Sequence, residues 1–492
     1  MKVDVDFGQF LPDGPSYKNP GLTKCDNVYA VGAGYNPIAG LIGTGRNVTG
    51  EVRGVARFDL PDGTPLLLVG TTTDLFVMRG TSVFASGLNL ALDFGDYWAF
   101  DQLGHSLYAT CKTHGLYRLA SIFSDSAFVT NSGSPPKAST LDVVGDFLFL
   151  GNLIDIDASN QPYRVRWSAF NNPTADWVTD IGRQSGYVDM ESRYGEVTGI
   201  FGGRFDLIFQ RTGISRIWFT GGPTVFAKEV IEAERGCPAP NSLVRVGGDI
   251  YFLAHDGFCR TDGSGVEIIS SDRVWQWFKD NLNTGFLKFT QGAVDWANRS
   301  IIWSFYPTGF EGYQRQIIYN WGLDRWTTAS VTVDWIAEST TLPVSIDETD
   351  PTVLNDNILD VNGPSFDSAQ YEAQGRTLAA FVNGELQEFK GDNMLATFET
   401  GDYQPQVGAR SFIRSVFPIV RLPSRSARAS IAGRDTVGED KIFGPQSEQG
   451  PLGFCPAISD AWFHSVRIEI PSGVPWSKAS GFQIDWEASG AA

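Results

Sequence analysis

Four carboxylates recur beside the apolar runs of this 492-residue chain, Asp101, Asp146, Asp206 and Asp249. Paired carboxylates flanking a cleft are the machinery of glycoside hydrolysis, one giving a proton while the other attacks or activates water. Asp146, Asp206 and Asp249 each stand just before a strand-like run, however, where an Asp side chain first serves the turn by accepting backbone N–H bonds. The four histidines are His105, His114, His255 and His464. No G-x-S-x-G nucleophile elbow accompanies them, and His114 and His255 fall in hairpin turns. The spacing Asp155-x-Asp157-x-x-Asn160 does not match an EF-hand loop and reads as a polar loop. The glycines of GAGYNP (32–37), GTGRN (43–47) and Gly202-Gly203 complete neither G-x-G-x-x-G nor a Walker loop. The expectation is a chain with no catalytic, cofactor-binding or metal site, and hence not an enzyme.

A second set of residues invites a different chemistry. Arg410, Arg414, Arg421, Arg425, Arg428 and Arg434 fall in one stretch that contains no Asp or Glu. Guanidinium groups bind carboxylates and phosphates in a bidentate fork. The strip could therefore hold DNA or the acidic surface of a neighbouring subunit. A net charge of −18 favours the second, because the remaining surface repels phosphates while offering carboxylates to another copy. The six arginines are the candidate subunit interface.

The elements that must carry these residues repeat. Short apolar strands end at Gly70, Thr110, Gly151, Gln210, Ala254, Phe305 and Phe381, spaced 40, 41, 59, 44, 51 and 76 residues apart. Each is answered by a second strand, as DLIFQ is by ISRIWF within GGRFDLIFQRTGISRIWF (202–219). Spacings near 40–50 residues match the four-stranded blade of a β-propeller. With 54 glycines, 25 prolines and only 19% charged residues, the composition suits short strands and frequent turns. The reading is all-β: a propeller of six or seven blades over 51–400, an extended N-terminal strap over 1–50, and a C-terminal β-sandwich or rim strands over 401–492. A short helix is expected within SSDRVWQWFKDNLN (270–283), capped by Ser271 or Asp272. Trp177 and Trp326, each after a polar turn, are placed to wedge between sheets. The acidic stretch 345–360 reads as a solvated insertion that lengthens the last interval.

Five scattered cysteines without a C-x-x-C pair suggest free thiols in a cytosolically folded protein. No secretory h-region and no transmembrane run is expected.

The segments FLPDGPSYKNPGLTKCDNVYAVGAGYNPI, PYRVRWSAFNNPTADW, YGEVTGIFGGRFDLIFQRTGISRIWFTGGP and ERGCPAPNSLVRVGGDIYFLAHDGF fall in an order that resembles the tail nozzle, or packaged-DNA-stabilising, proteins of short-tailed double-stranded-DNA bacteriophages. Asn27-Val28, Gly34-Tyr35 and Pro37 carry the opening element, and the similarity spans about residues 5–330. The last third matches in layout alone. The resemblance implies a virion protein with a propeller in its fold, forming a ring, usually a hexamer, below the tail adaptor. That ring retains the genome and opens for ejection. It further implies assembly in the host cytoplasm, contact with tail fibres or tailspikes, and DNA passing through the lumen without sequence recognition. No cofactor and no catalytic residue comes with it. The alternatives are a tail-associated propeller glycosidase and a glycan- or receptor-binding module.

Overall fold

Runs such as Leu66–Val69, Phe147–Leu150 and Ile301–Trp303 are apolar at every position, as strands packed on both faces must be. In the computed structural model, which describes residues 1–15, 17–61, 63–222, 224–309, 312–340 and 376–489, these runs lie in the second strands of four-stranded antiparallel units. The acidic stretch 345–360 lies outside the described residues. Seven four-stranded units occur among them: 52–85, 99–130, 137–189, 197–232 and 244–268 are separate sheets, 291–329 is the start of a nine-stranded sheet, and the last joins Trp335–Thr340, Arg376–Val382 and Glu385–Asn393 to Ala39–Asn47. The first strand of each lines a common central cavity. The chain is an all-β protein built on a β-propeller, and these units are its blades, numbered one to seven in chain order.

The seventh blade takes its outermost strand from the other end of the propeller. Ala39–Asn47 pairs antiparallel with Glu385–Asn393, so residues that precede the first blade close the ring. Arg46 and Glu388 face each other across that seam at 3.7 Å, both buried.

Residues 1–50, expected as an extended strap, are thus divided between the two halves of the molecule. Lys2–Asp6 pairs with Lys478–Ala488, Leu22–Asp26 with Ala396–Thr400, and Val28–Val31 with Gly34–Pro37. These strands join Ser411–Arg421, Arg428–Arg434, Cys455–Ala461 and Phe463–Ile470 in a two-sheet sandwich. One of its sheets continues directly from the sixth blade through the parallel bridge of Asp26 with Thr328. A single core runs across the junction, from Phe258, Trp303 and Trp326 in the blades to Phe398, Phe482 and Ile484 in the sandwich.

The helix covers Trp275–Asn281 and begins at Val274 without a cap from its own sequence. Ser271 and Asp272 are displaced from that role by Asp13. Its carboxylate accepts the Gln276 and Trp277 N–H groups, both at 2.7 Å, and so satisfies two orphan donors of the first turn from the far N-terminus. Trp177 is buried among Leu103, Tyr108 and Leu148 of blades two and three, where its indole fills the inter-blade gap.

Candidate functional site

The strand Ala99–Leu103 opens blade two and Lys137–Val144 opens blade three. Asp142 lines the central cavity of about 630 Å³, and Asp101 stands beside it on the neighbouring strand. Asp101 accepts the Val143 N–H at 2.5 Å and the Gln102 N–H at 2.8 Å. Protein encloses both carboxyls on most sides. That loss of solvation raises the pKa of Asp101, and it raises Asp142 well above the ordinary carboxylate range, with the neighbouring Asp101 charge adding to the effect. The two carboxyls act on each other directly, and the Asp101 charge is part of what raises Asp142.

Arg245, at the opening strand of blade five, faces this pair and donates to the Gly202 carbonyl at 2.6 Å. Its charge opposes the upward shift of both carboxyls. Asp206 is raised by the same loss of solvation and again countered by Arg245, while its Oδ1 accepts the Gly203 N–H at 3.0 Å. Across the cavity, Arg57 meets Asp59 at 2.5 Å and donates to Thr340 Oγ1 at 2.8 Å. Arg376 reaches Asp59 at 3.2 Å, lies 3.8 Å from Glu338 and covers the Trp296 ring at 5.4 Å. One buried hydroxyl on the wall, Thr198 Oγ1, has no hydrogen-bond partner among the described residues.

Of the four carboxylates marked in the sequence, Asp101 and Asp206 therefore belong to this constellation. Asp249 pairs with Arg260 at 3.3 Å, and Asp146 is exposed at a hairpin turn. Asp142, Arg245, Glu338, Arg57 and Arg376 carry no such mark in the sequence, because the constellation forms only when the opening strands of different blades converge on one cavity. A carboxylate in the polar alternation of LDVVGD, just before a continuous apolar strand, was the one signal available for Asp142. Gly202 and Gly203 form no anion loop. A Cβ on Gly202 would stand 2.0 Å from the Val143 carbonyl oxygen, so the glycine lets blade four touch blade three.

The remaining candidates have settled structural partners. Asp155 is buried between Arg164 and Arg166, each at 2.9 Å, and Asp157 accepts from Ser159 within its own loop. His114 bonds the Ala91 backbone, and His464 is buried in the sandwich between Ser411 and Ser459. Loss of solvation lowers His464 to a pKa of about 4, so the imidazole is neutral there.

The arginine strip is divided by the fold. Arg410 pairs with Asp435 and Asp460, Arg414 with Glu487, and Arg428 with Glu448, all within the chain. Arg434 is buried against Asp402 and is removed from any surface, which corrects its place among the interface candidates. Arg421 and Arg425 stay exposed on a groove of about 620 Å³, joined there by Lys478.

No family model matches the chain, and no curated protein matches it. Among solved structures it is similar to BBS1N in complex with ARL6DN, at 12% identity over 72% of this chain and 97% of that one, with a TM-score of 0.39. It is also similar to YCF48 bound to D1 peptide, at 10% identity over 63% and 92% of the two chains, with a TM-score of 0.35. An exo-β-1,3-galactanase from Phanerochaete chrysosporium matches at 10% identity over 83% and 99%, with a TM-score of 0.25. At these values none assigns a substrate or a partner. One expectation is nevertheless corrected: with glycoside hydrolases among the similar structures, the reading that this chain is not an enzyme is not retained.

Proposed function

We propose that the chain is a ring-forming subunit of the tail of a short-tailed double-stranded-DNA bacteriophage, a nozzle subunit that lines the distal DNA channel, retains the packaged genome and opens for ejection. The observation that carries this reading is the surface of the sandwich. Its strand Cys455–Ala461 pairs with Ser411–Arg421 on one side and is a sheet edge on the other among the described residues, and Ile458 on it is 74% exposed. Val407, Ile442 and Leu452, also on the sandwich, are 85%, 79% and 82% exposed. Bare aliphatic side chains beside an open sheet edge favour association with another chain. The residues that carry the resemblance sit at the root of that sandwich: the Asn27 side chain donates to Leu395 O, and Tyr35 donates to Gly8 O. A net charge of −18 lets DNA slide past without adhering. The partners of this reading are further copies of the chain in a hexamer, the tail adaptor, fibres or tailspikes, and DNA in transit. Its place is the virion tail, assembled in the host cytoplasm. Native mass spectrometry of the purified chain, alone and with its adaptor, should give a closed multimer of roughly six 53.8 kDa units. A monomer under both conditions contradicts the reading.

A second reading, a channel that binds or cleaves a glycan, is favoured by the adjacent Asp101–Asp142 pair, with Asp142 and the unpartnered Thr198 hydroxyl lining the same cavity. The pair, both members raised in pKa, offers carboxyls that can donate a proton as well as accept one. The adjacent carboxyls stand closer than the roughly 5–9.5 Å that separates those of glycosidases, so a sugar would have to part the two groups. Release of reducing sugar from host polysaccharide that falls at least about 100-fold in Asp142→Asn supports this reading. Equal turnover in the variant, or none in the wild type, contradicts it.

A further inference from the structure

The strands Ser411–Arg421 and Lys478–Ala488 run antiparallel, and their last register pair sets Arg421 directly opposite Lys478. Like charges so placed sit roughly 5 Å apart at Cβ and destabilise a sheet unless something neutralises them. Arg425 follows four residues on, beyond the Leu422-Pro423-Ser424 corner, and completes a triangle of cations around the groove. None of the three makes an ion pair among the described residues, whereas Arg410, Arg414, Arg428 and Arg434 all do. The groove is not purely electrostatic. Phe417 and Leu452 line it, and Phe417 packs so tightly on Gly453 that a Cβ there would stand 2.6 Å from the ring. The apolar base is therefore built in place, with Leu452 left bare above it.

We propose that this groove seats an acidic, aliphatic-bearing surface of a second copy of the chain, with Arg421, Arg425 and Lys478 binding its carboxylates and Leu452 buried at the centre. The inference rests on the ring reading and names the contact that closes the ring. Two observations favour a second copy over nucleic acid. Acidic residues outnumber basic ones by 56 to 38, so every further copy brings carboxylates while the rest of the surface repels phosphates. An apolar base with an exposed leucine gains from another protein surface and gains nothing from a sugar–phosphate backbone.

The test compares wild type with Arg421→Glu/Arg425→Glu/Lys478→Glu by sedimentation velocity across about 0.05 to about 0.5 M salt, with duplex DNA binding read by fluorescence anisotropy. A multimeric wild type that weakens with salt, a reversal variant that is monomeric or at least about tenfold weaker in assembly, and retained assembly in Arg421→Lys/Arg425→Lys support the proposal. Thermal melts by circular dichroism keep loss of assembly separate from loss of fold. If the reversal variant were unfolded, Arg421→Gln/Arg425→Gln would carry the same expectation. Unchanged assembly on reversal overturns the groove while leaving the ring reading intact. Unchanged assembly with lost DNA binding assigns the groove to nucleic acid instead. A wild type that stays monomeric at every salt overturns both.

Discussion

Asp101 and Asp142 are the residues whose environment departs furthest from what their types suggest. A carboxyl whose folded pKa is raised keeps a proton that the unfolded chain, with an ordinary carboxylate, has released. Its favourable contribution is whole below the unfolded pKa and is lost as pH rises through the folded one. Stability should therefore fall as pH rises from the ordinary carboxylate range through the raised pKa values of the pair. Asp142→Asn removes the second charge and keeps a hydrogen-bonding side chain beside Asp101. Denaturant unfolding should show the variant more stable than wild type by about 1 kcal/mol at about pH 8, with a flatter pH profile. A variant that is less stable at every pH contradicts the raised pKa of the pair. Asp101 was legible as a candidate because it sits beside an apolar strand. Its partner was not, since the 40 residues between them close up only when blades two and three pack.

At the scale of elements, the apolar second strands announced the blades, and the turn chemistry around His114, His255 and Gly202 was readable locally. What could not be read is which strand closes the ring. Ala39–Asn47 contains three glycines and only two large aliphatics, so it lacks the alternation that marks a strand, and its pairing with Glu385–Asn393 is purely long-range. The same holds for Asp13, which caps a helix more than 260 residues away. The closing seam can be tested through Arg46, whose guanidinium is lowered in pKa by loss of solvation and supported by Glu388. Arg46→Met leaves Glu388 with Lys390 at 2.7 Å, so the cost should be about 2 kcal/mol, below that of a wholly stranded charge. Arg46→Met/Glu388→Met should recover part of it. Thermal unfolding that does not distinguish the single variant from wild type would show that the seam is held elsewhere.

The whole molecule is a propeller and a sandwich that share strands, a sheet and a core. Leu22–Asp26 bonds to the sixth blade on one side and to Ala396–Thr400 on the other, which ties the N-terminus and the last third into one unit. Composition and spacing made the propeller legible, because repeated hairpins leave a periodic trace. The sandwich left none, being assembled from both ends of the sequence. Its arginines were visible as a strip, yet only the pairing of strands separates Arg421 and Arg425 from the four that are neutralised, and brings in Lys478 from 57 residues away. The account therefore locates assembly on the sandwich and transit of DNA within the ring that assembly makes. Electron microscopy of the purified chain with its adaptor measures this most directly. The account predicts six-fold rings with a central bore and with neighbouring copies meeting through their sandwiches. Isolated single copies, or rings joined through the propellers with the sandwiches apart, would contradict it.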